Sequence, residues 1–315
     1  MPKLNAPVPP RLCRTLLVAL FGFCSGVVHA QNPQLQRELV HDLCDRSAIM
    51  VMEKYRPLLS EYPEIFRSKD LVVFSPLIEF NAVARSEQQR VVLTYGMCDR
   101  LFLMLRAYGL GSFYHSPLAQ LKAYTTYLNS ITRKQLEDVD RGQWLEFEIL
   151  PFELWAKLDL STLDESARRA IDGSVSEAMG LALSFVIGHE VGHLAHKDKP
   201  YNKISKADAR IQERNADDFG MTLAMRAVQD PVEYLAFMLP MTIMFDMENY
   251  EVPVADNVHP PMGCRLVRAV FATDLFGIID ANPELRQRYS AMMGMSPRKV
   301  IEQLRPGLTD PRCTS

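Results

Sequence analysis

The sequence predicts an α+β fold that is mostly α-helical. Short apolar stretches with strand character are few, grouped at residues 71–94 with one more at 144–149. Elsewhere, and throughout the C-terminal half, apolar residues recur at helical spacing between capping signatures and prolines. The 315 residues are 48% apolar and 23% charged, with a formal net charge of −3. That ordinary globular composition excludes disordered, collagen-like and low-complexity classes. A slightly acidic chain with no run of Lys or Arg is also poorly suited to holding nucleic acid through charge.

The first 30 residues stand apart. Lys3, Arg11 and Arg14 form a positive leader, Thr15 to Val28 is apolar, and Val28-His29-Ala30 ends in a small-x-small pattern. This reads as a secretory signal cleaved after Ala30, with an apolar run too short to span a bilayer comfortably. Cleavage removes three basic residues and no acidic one, so residues 31–315 carry a formal charge of −6. The longest remaining apolar stretches, Ala178–Gly188 and Leu235–Phe245, have the length of core helices, and no transmembrane segment is expected in the mature chain. The expected location is periplasmic or secreted. Cys44, Cys98, Cys264 and Cys313 survive cleavage. An oxidising compartment favours disulfides, and the pairs nearest in sequence are Cys44–Cys98 and Cys264–Cys313. No CxxC pair exists, which argues against a zinc knuckle.

In order along the chain, Leu35, Leu39, Leu43 and Ile49–Met52 set a helical stripe over Pro33–Tyr55. Leu71–Phe74, Ile78–Ala84 and Arg90–Thr94 read as strands, the last two joined as a hairpin through the polar stretch Arg85–Gln89. A helix over Cys98–Ala107 is expected to stop at the Gly109–Gly111 pair. Residues 112–172 read as a segment inserted into a single domain, with a helix over Pro117–Asn129 and a half-buried strand over Trp144–Ile149. Ser174-Val175-Ser176-Glu177 is a capping box, and a helix buried on nearly all sides should run from it to Lys197. A loop through Pro200 leads to a second capping box at Ser205 and Asp208 and a helix to Val228. Asp230-Pro231 opens a Met-rich helix bent at Pro240. Val252–Val258 reads as loop, and helices follow over Pro261–Ile279, Pro283–Met293 and Pro297–Leu304.

The chemistry concentrates in Gly188-His189-Glu190-Val191-Gly192-His193. Histidines four apart leave one helix face and can share one Zn²⁺. Glu190 sits where it can take a proton from a water, and Gly192 removes a side chain beside the metal. HExxH by itself also arises by chance on core helices, but two buried histidines without partners would be costly. Glu213-Arg214-Asn215-Ala216-Asp217 begins 20 residues after His193 on the next helix. A short loop lets that helix fold back, so Glu213 can be the third ligand and leave the fourth position open. Asp217, one turn on, can accept from the second nitrogen of a ligating histidine, and Ala216 allows close helix approach. Without the upstream motif these acids would read as a solvated face. In His259-Pro260-Pro261-Met262-Gly263-Cys264-Arg265, His259 can stabilise an oxyanion and Arg265 can orient it or hold a substrate carboxylate.

HExxH, ExxAD and HPxxxxR in this order resemble the gluzincin metallopeptidases of the HtpX and CAAX-prenyl-protease type. The resemblance spans Ser174–Val270 and, more weakly, Ile78–Thr94. The phage-exclusion Lit-type peptidases share a similar motif order. The resemblance implies a zincin-like fold with a small strand region and an active-site helix pair. It implies one Zn²⁺ per chain on His189, His193 and Glu213, with Glu190 as general base and Asp217 behind a ligand. It implies roles near the scissile carbonyl for His259 and Arg265. Asn81-Ala82 resembles a strand that pairs with substrate backbone. Unlike HtpX and the prenyl proteases, this chain has no set of membrane helices and looks more like their secreted relatives.

The remaining candidates read as structural. His196 lies a turn beyond the site and reads as a surface or supporting residue, His41 and His115 have no partner pattern, and Cys264 reads as a disulfide half. Trp144, Phe147, Phe152 and Trp155 read as core more than as a substrate groove. The function expected is zinc-dependent endopeptidase cleavage of protein or peptide substrates. The alternatives are a silent zinc-stabilised binding or chaperone module on the same scaffold, and amide or ester cleavage of a small molecule.

Overall fold

The computed structural model describes residues 33–65, 70–77, 81–142, 149–227, 275–293 and 296–308, and positions 264, 265, 267, 268 and 271. The leader with its cleavage site, residues 144–148 of the expected Trp144–Ile149 strand with Trp144 and Phe147, the Met-rich helix, the Val252–Val258 loop and His259 lie outside the described residues.

Helix α1 (Pro33–Leu58) starts on a proline, whose missing N–H costs nothing at a first helical position. It buries Val40, Leu43, Cys44, Ser47, Ala48, Val51 and Tyr55, a stripe at the spacing of one helix face. The strands β1 (Val72–Ser75), β2 (Ala82–Arg85) and β3 (Arg90–Thr94) form one sheet in the order β1-β3-β2. β2 and β3 are the expected antiparallel hairpin, with Val83 opposite Val92, while β1 runs parallel to β3. Val91 and Leu93 bury the core face of β3.

Thr94 ends β3 and caps α2 (Tyr95–Phe113), its Oγ1 accepting from the Met97 N–H. Gly109 and Gly111 do not end this helix. A Cβ on Gly109 would meet Ile171 at 3.3 Å and one on Gly111 would meet Leu121 at 2.9 Å, so both glycines serve close packing. The Cys44–Cys98 disulfide forms as expected and ties α1 to α2. Cys264 is also disulfide-bonded; Cys313, its expected partner, lies outside the described residues.

Helix α3 (Leu118–Asp140) runs about three turns beyond the expected end at Asn129. With the short helix α4 (Phe152–Trp155) it adds Leu121, Tyr124, Leu128 and Phe152 to the same core as α1 and α2. Phe152 is fully buried, and its ring and that of Trp155 pack on Tyr124. Buried Arg106 of α2 pairs with Glu153 at 2.7 Å and Asp172 at 3.5 Å, which neutralises it inside this layer.

The central helix α5 (Glu165–His196) begins nine residues before the expected cap at Ser174. Asp164 caps it, accepting from Ala167 N–H, whereas the Ser174 hydroxyl donates back to the Ala170 carbonyl inside the helix. Residues Leu181–Leu194 are buried on all sides. Among the described residues α5 is the one helix whose length and composition would suit a membrane span. Its apolar faces are instead covered by protein, with α1, α2 and β2 against it.

Helix α6 (Lys206–Ala227) folds back along α5, and Ser205 caps it as expected, accepting from Asp208 N–H at 3.1 Å. Helical backbone recurs at Cys264, Arg265, Val267, Arg268 and Phe271. Three short helices follow, α7 (Leu275–Ala281), α8 (Pro283–Met293) and α9 (Pro297–Leu308), with Asn282 capping α8.

Candidate metal centre

Small residues set the distance between α5 and α6. A Cβ on Gly188 would stand 3.0 Å from the Gly220 Cα, and one on Gly192 3.0 Å from the Ala216 Cα. The backbones therefore touch along Gly188, Gly192, Ala216 and Gly220. Gly192 was expected to clear space beside a metal; its missing side chain instead makes room for the second helix. Ala216 is fully buried in this seam, as its size predicts.

This approach brings Glu213 to the two histidines. His189, His193 and Glu213 are all buried, and one ligand atom from each converges within 4.8 Å. The His189 and His193 Nε2 atoms are 3.2 Å apart. Glu213 Oε2 lies 3.5 Å from His189 Nε2 and Oε1 lies 3.3 Å from His193 Nε2.

The other ring nitrogens fix the tautomers. His189 Nδ1 is 2.9 Å from Asp217 Oδ1, and His193 Nδ1 is 2.7 Å from Asp198 Oδ2. A carboxylate can only accept, so both Nδ1 atoms donate and both Nε2 atoms are left facing Glu213. Three electron-rich atoms so close together call for a cation. Ligands about 2.0–2.1 Å from a tetrahedral centre stand ~3.3 Å apart, which matches this triangle. The residues fit a divalent metal with two imidazoles and one carboxylate.

Arg265 locks Asp217. Its Nε and Nη2 donate to Asp217 at 2.9 and 2.6 Å, and Nη2 is 3.3 Å from His189 Nδ1. Burial alone would raise the Asp217 carboxyl, but Arg265 and His189 outweigh it and hold it at about 2. Burial alone would lower both histidines. Asp217 and Glu213 reverse that for His189, and Asp198 and Glu213 lift His193 to about 10. The surroundings thus favour positive charge at the Nε2 atoms. Glu190 is buried beside the centre, its Oε1 3.9 Å from His189 Nε2.

Two residues here escape the sequence motifs. Asp198 stands five residues after His193 and just past the end of α5. Tyr201 donates its hydroxyl to Glu213 Oε1. Burial and the nearby Glu213, Glu190 and Asp198 carboxylates push its phenol up, so it stays a donor. An acid and a tyrosine just beyond HExxH were the available signal, but only the turn between the helices aims them.

The remaining candidates have other partners. His196 packs edge-on against Phe219 at 5.6 Å and lines a separate cavity of about 410 Å³ with Tyr62, Asn215 and Arg226. His41 stacks on Tyr95 and bonds Asp99, a structural role. Asn81 exchanges hydrogen bonds with Thr94 at the mouth of the hairpin, and Ala82 opens β2, an outer strand of the sheet.

Residues 151–276 match the family model of Peptidase U49, a stretch that contains α5, α6 and Arg265. The match supports a peptidase, and with it a hydrolase acting on protein substrates. No curated protein and no solved structure gives a significant match to the chain.

Proposed function

We propose that this protein is a zinc-dependent endopeptidase of the gluzincin type that acts outside the cytoplasm. The observation that carries the reading is the buried triangle of His189, His193 and Glu213, with a carboxylate behind each histidine and Glu190 beside it. Two imidazoles and one carboxylate are the donor set of hydrolytic zinc sites, and the peptidase family match supports the same chemistry. Zinc bound there supplies Lewis-acid polarisation of the scissile carbonyl and acidifies a water.

The chain's own residues do the rest. Glu190 takes the proton of the attacking water on its carboxylate and delivers it to the leaving amine nitrogen as the C–N bond breaks. Asp217, held by Arg265, keeps the His189 Nδ1 protonated so that Nε2 stays free to bind. His259 donates to the oxyanion, and the outer edge of β2 at Asn81 and Ala82 receives substrate backbone as an added strand. The motif order of HtpX and the CAAX prenyl proteases supports these roles. The signal-like leader and the Cys44–Cys98 disulfide support an oxidising compartment.

Metal analysis of the purified mature protein beside Glu213→Ala tests the site. About one zinc per wild-type chain is expected, with weaker retention in the variant. Glu190→Gln should keep the zinc and lose at least about 10²-fold in peptide turnover. Wild-type protein that takes up no supplied zinc, or a Glu190→Gln variant with full turnover, sinks the reading.

A further inference from the structure

Each ligand of the triangle has a partner that holds it, and two of the three partners come from one short turn. Asp217 holds His189 from within α6. His193 and Glu213 sit on different helices, yet both are met by the link between α5 and α6. Helix α5 ends with Lys197 in the left-handed region at φ 56° and ψ 44°. The Asp198 N–H then donates to the His193 carbonyl at 3.0 Å and the Lys197 N–H to Leu194 at 3.2 Å, a Schellman closure. That reversal sends Asp198 back along the helix, so its side chain accepts from His193 Nδ1 at 2.7 Å. Pro200 next starts a single 3-10 turn, Tyr201–Lys203, closed by Lys203 N–H on the Pro200 carbonyl at 2.9 Å. This turn delivers the Tyr201 hydroxyl to Glu213 Oε1.

We infer that the turn Lys197–Tyr201 is a metal-site clamp, in which Asp198 and Tyr201 are positioning residues for His193 and Glu213. The inference rests on the metal reading of the site. Its physical basis is rotational. An imidazole with a fixed Nδ1 donor cannot flip, and a carboxylate with one oxygen bonded cannot swing away. Each ligand then loses less freedom when it binds. A merely structural role for these contacts would show in the stability of the metal-free protein. Tyr201 is 39% exposed, so removing its hydroxyl takes little from the core.

Zinc affinity of the mature chain, measured by competition with a chelator, tests this against melting of the metal-free protein. Asp198→Ala and Tyr201→Phe should each weaken zinc binding about 10- to 100-fold. The metal-free melting temperature of Tyr201→Phe should stay within about 2 °C of wild type, because Glu213 keeps both histidines as partners, whereas Asp198→Ala should melt a few degrees lower because buried His193 loses its carboxylate. Asp198→Asn keeps an oxygen for the Nδ1 proton and should recover most of the loss. The double variant should depart from the product of the single effects, because His193 and Glu213 meet at 3.3 Å and the two residues belong to one network. If Asp198→Ala does not fold, Asp198→Asn and Tyr201→Phe carry the comparison. Folded variants that bind zinc within twofold of wild type overturn the clamp and leave the metal site standing. Losses matched by an equal fall in metal-free stability, without recovery in Asp198→Asn, also overturn it. Wild-type protein that binds no zinc overturns both.

Discussion

Gly220 lies so close to His189 that a Cβ on it would stand 2.5 Å from the His189 backbone nitrogen and 2.9 Å from its Cα. No L side chain fits there without parting the two helices. The contact lies within one to two turns of Glu213 and Asp217 on α6 and at the first histidine of α5. Helix separation at Gly220 therefore translates directly into ligand separation at the centre.

Gly220→Ala should therefore cost more than the roughly 1–3 kcal/mol of ordinary overpacking, because the clash is with backbone. Zinc retention should fall with it. Gly180, on the same α5, has nothing within 4 Å of its would-be Cβ. Gly180→Ala should stabilise by about 0.5–1 kcal/mol through helix propensity alone. Denaturant unfolding of both variants, with zinc content read alongside, makes the comparison. Equal stability of the two variants would mean that the seam does not set the site.

What was legible in the sequence was local. The i,i+4 histidines, Glu213 and Asp217 one turn apart, and the strand hairpin all follow from periodicity and spacing. What was not legible depended on partners far along the chain. Ser174-Val175-Ser176-Glu177 has the letters of a capping box, yet Ser174 bonds back into a helix that Asp164 already started. Gly109 and Gly111 look like a stop but serve Ile171 and Leu121, residues 62 and 10 positions away. Asp198 and Tyr201 carry no motif, because their aim is set by the left-handed turn at Lys197 and by Pro200.

Arg265 gives a prediction with a sign in pH. In metal-free protein, Arg265→Met leaves Asp217 buried without its cation and should cost roughly 3 kcal/mol near neutral pH. The Asp217 carboxyl sits at about 2, below the ordinary value of 3.8. A depressed carboxyl contributes stability above its unfolded value and loses it as pH falls through the folded one. The wild-type advantage should hold from pH 7 to about 5 and shrink between about pH 4 and 2. Urea unfolding of both proteins across that range reads it. An advantage that grows toward acid would show that Arg265 does not act through Asp217.

The Cys44–Cys98 bond closes a loop with a sequence separation of 54 between two fully buried cysteines. The chain-entropy estimate for a loop of that size is about 4 kcal/mol. The double Cys44→Ala and Cys98→Ala variant should be destabilised by that order in oxidising buffer. Under reducing conditions the gap to wild type should close. A gap that persists after full reduction would assign the loss to packing of the two side chains.

Lys197 makes the last prediction, because its backbone is at φ 56° without being glycine. An L residue there costs about 1 kcal/mol, offset in part because glycine is freer when unfolded. Lys197→Gly should be neutral or stabilising by up to about 1 kcal/mol, and it should keep the zinc, since the turn keeps its hand. A β-branched residue resists that region more strongly. Lys197→Val should cost about 1–2 kcal/mol and loosen zinc through misplacement of Asp198. Thermal melting of the metal-free proteins gives the first order, Gly at or above Lys and Lys above Val, and chelator competition should give the same rank for metal. If Lys197→Val melts lower but keeps full zinc affinity, the turn serves the fold without serving the ligands.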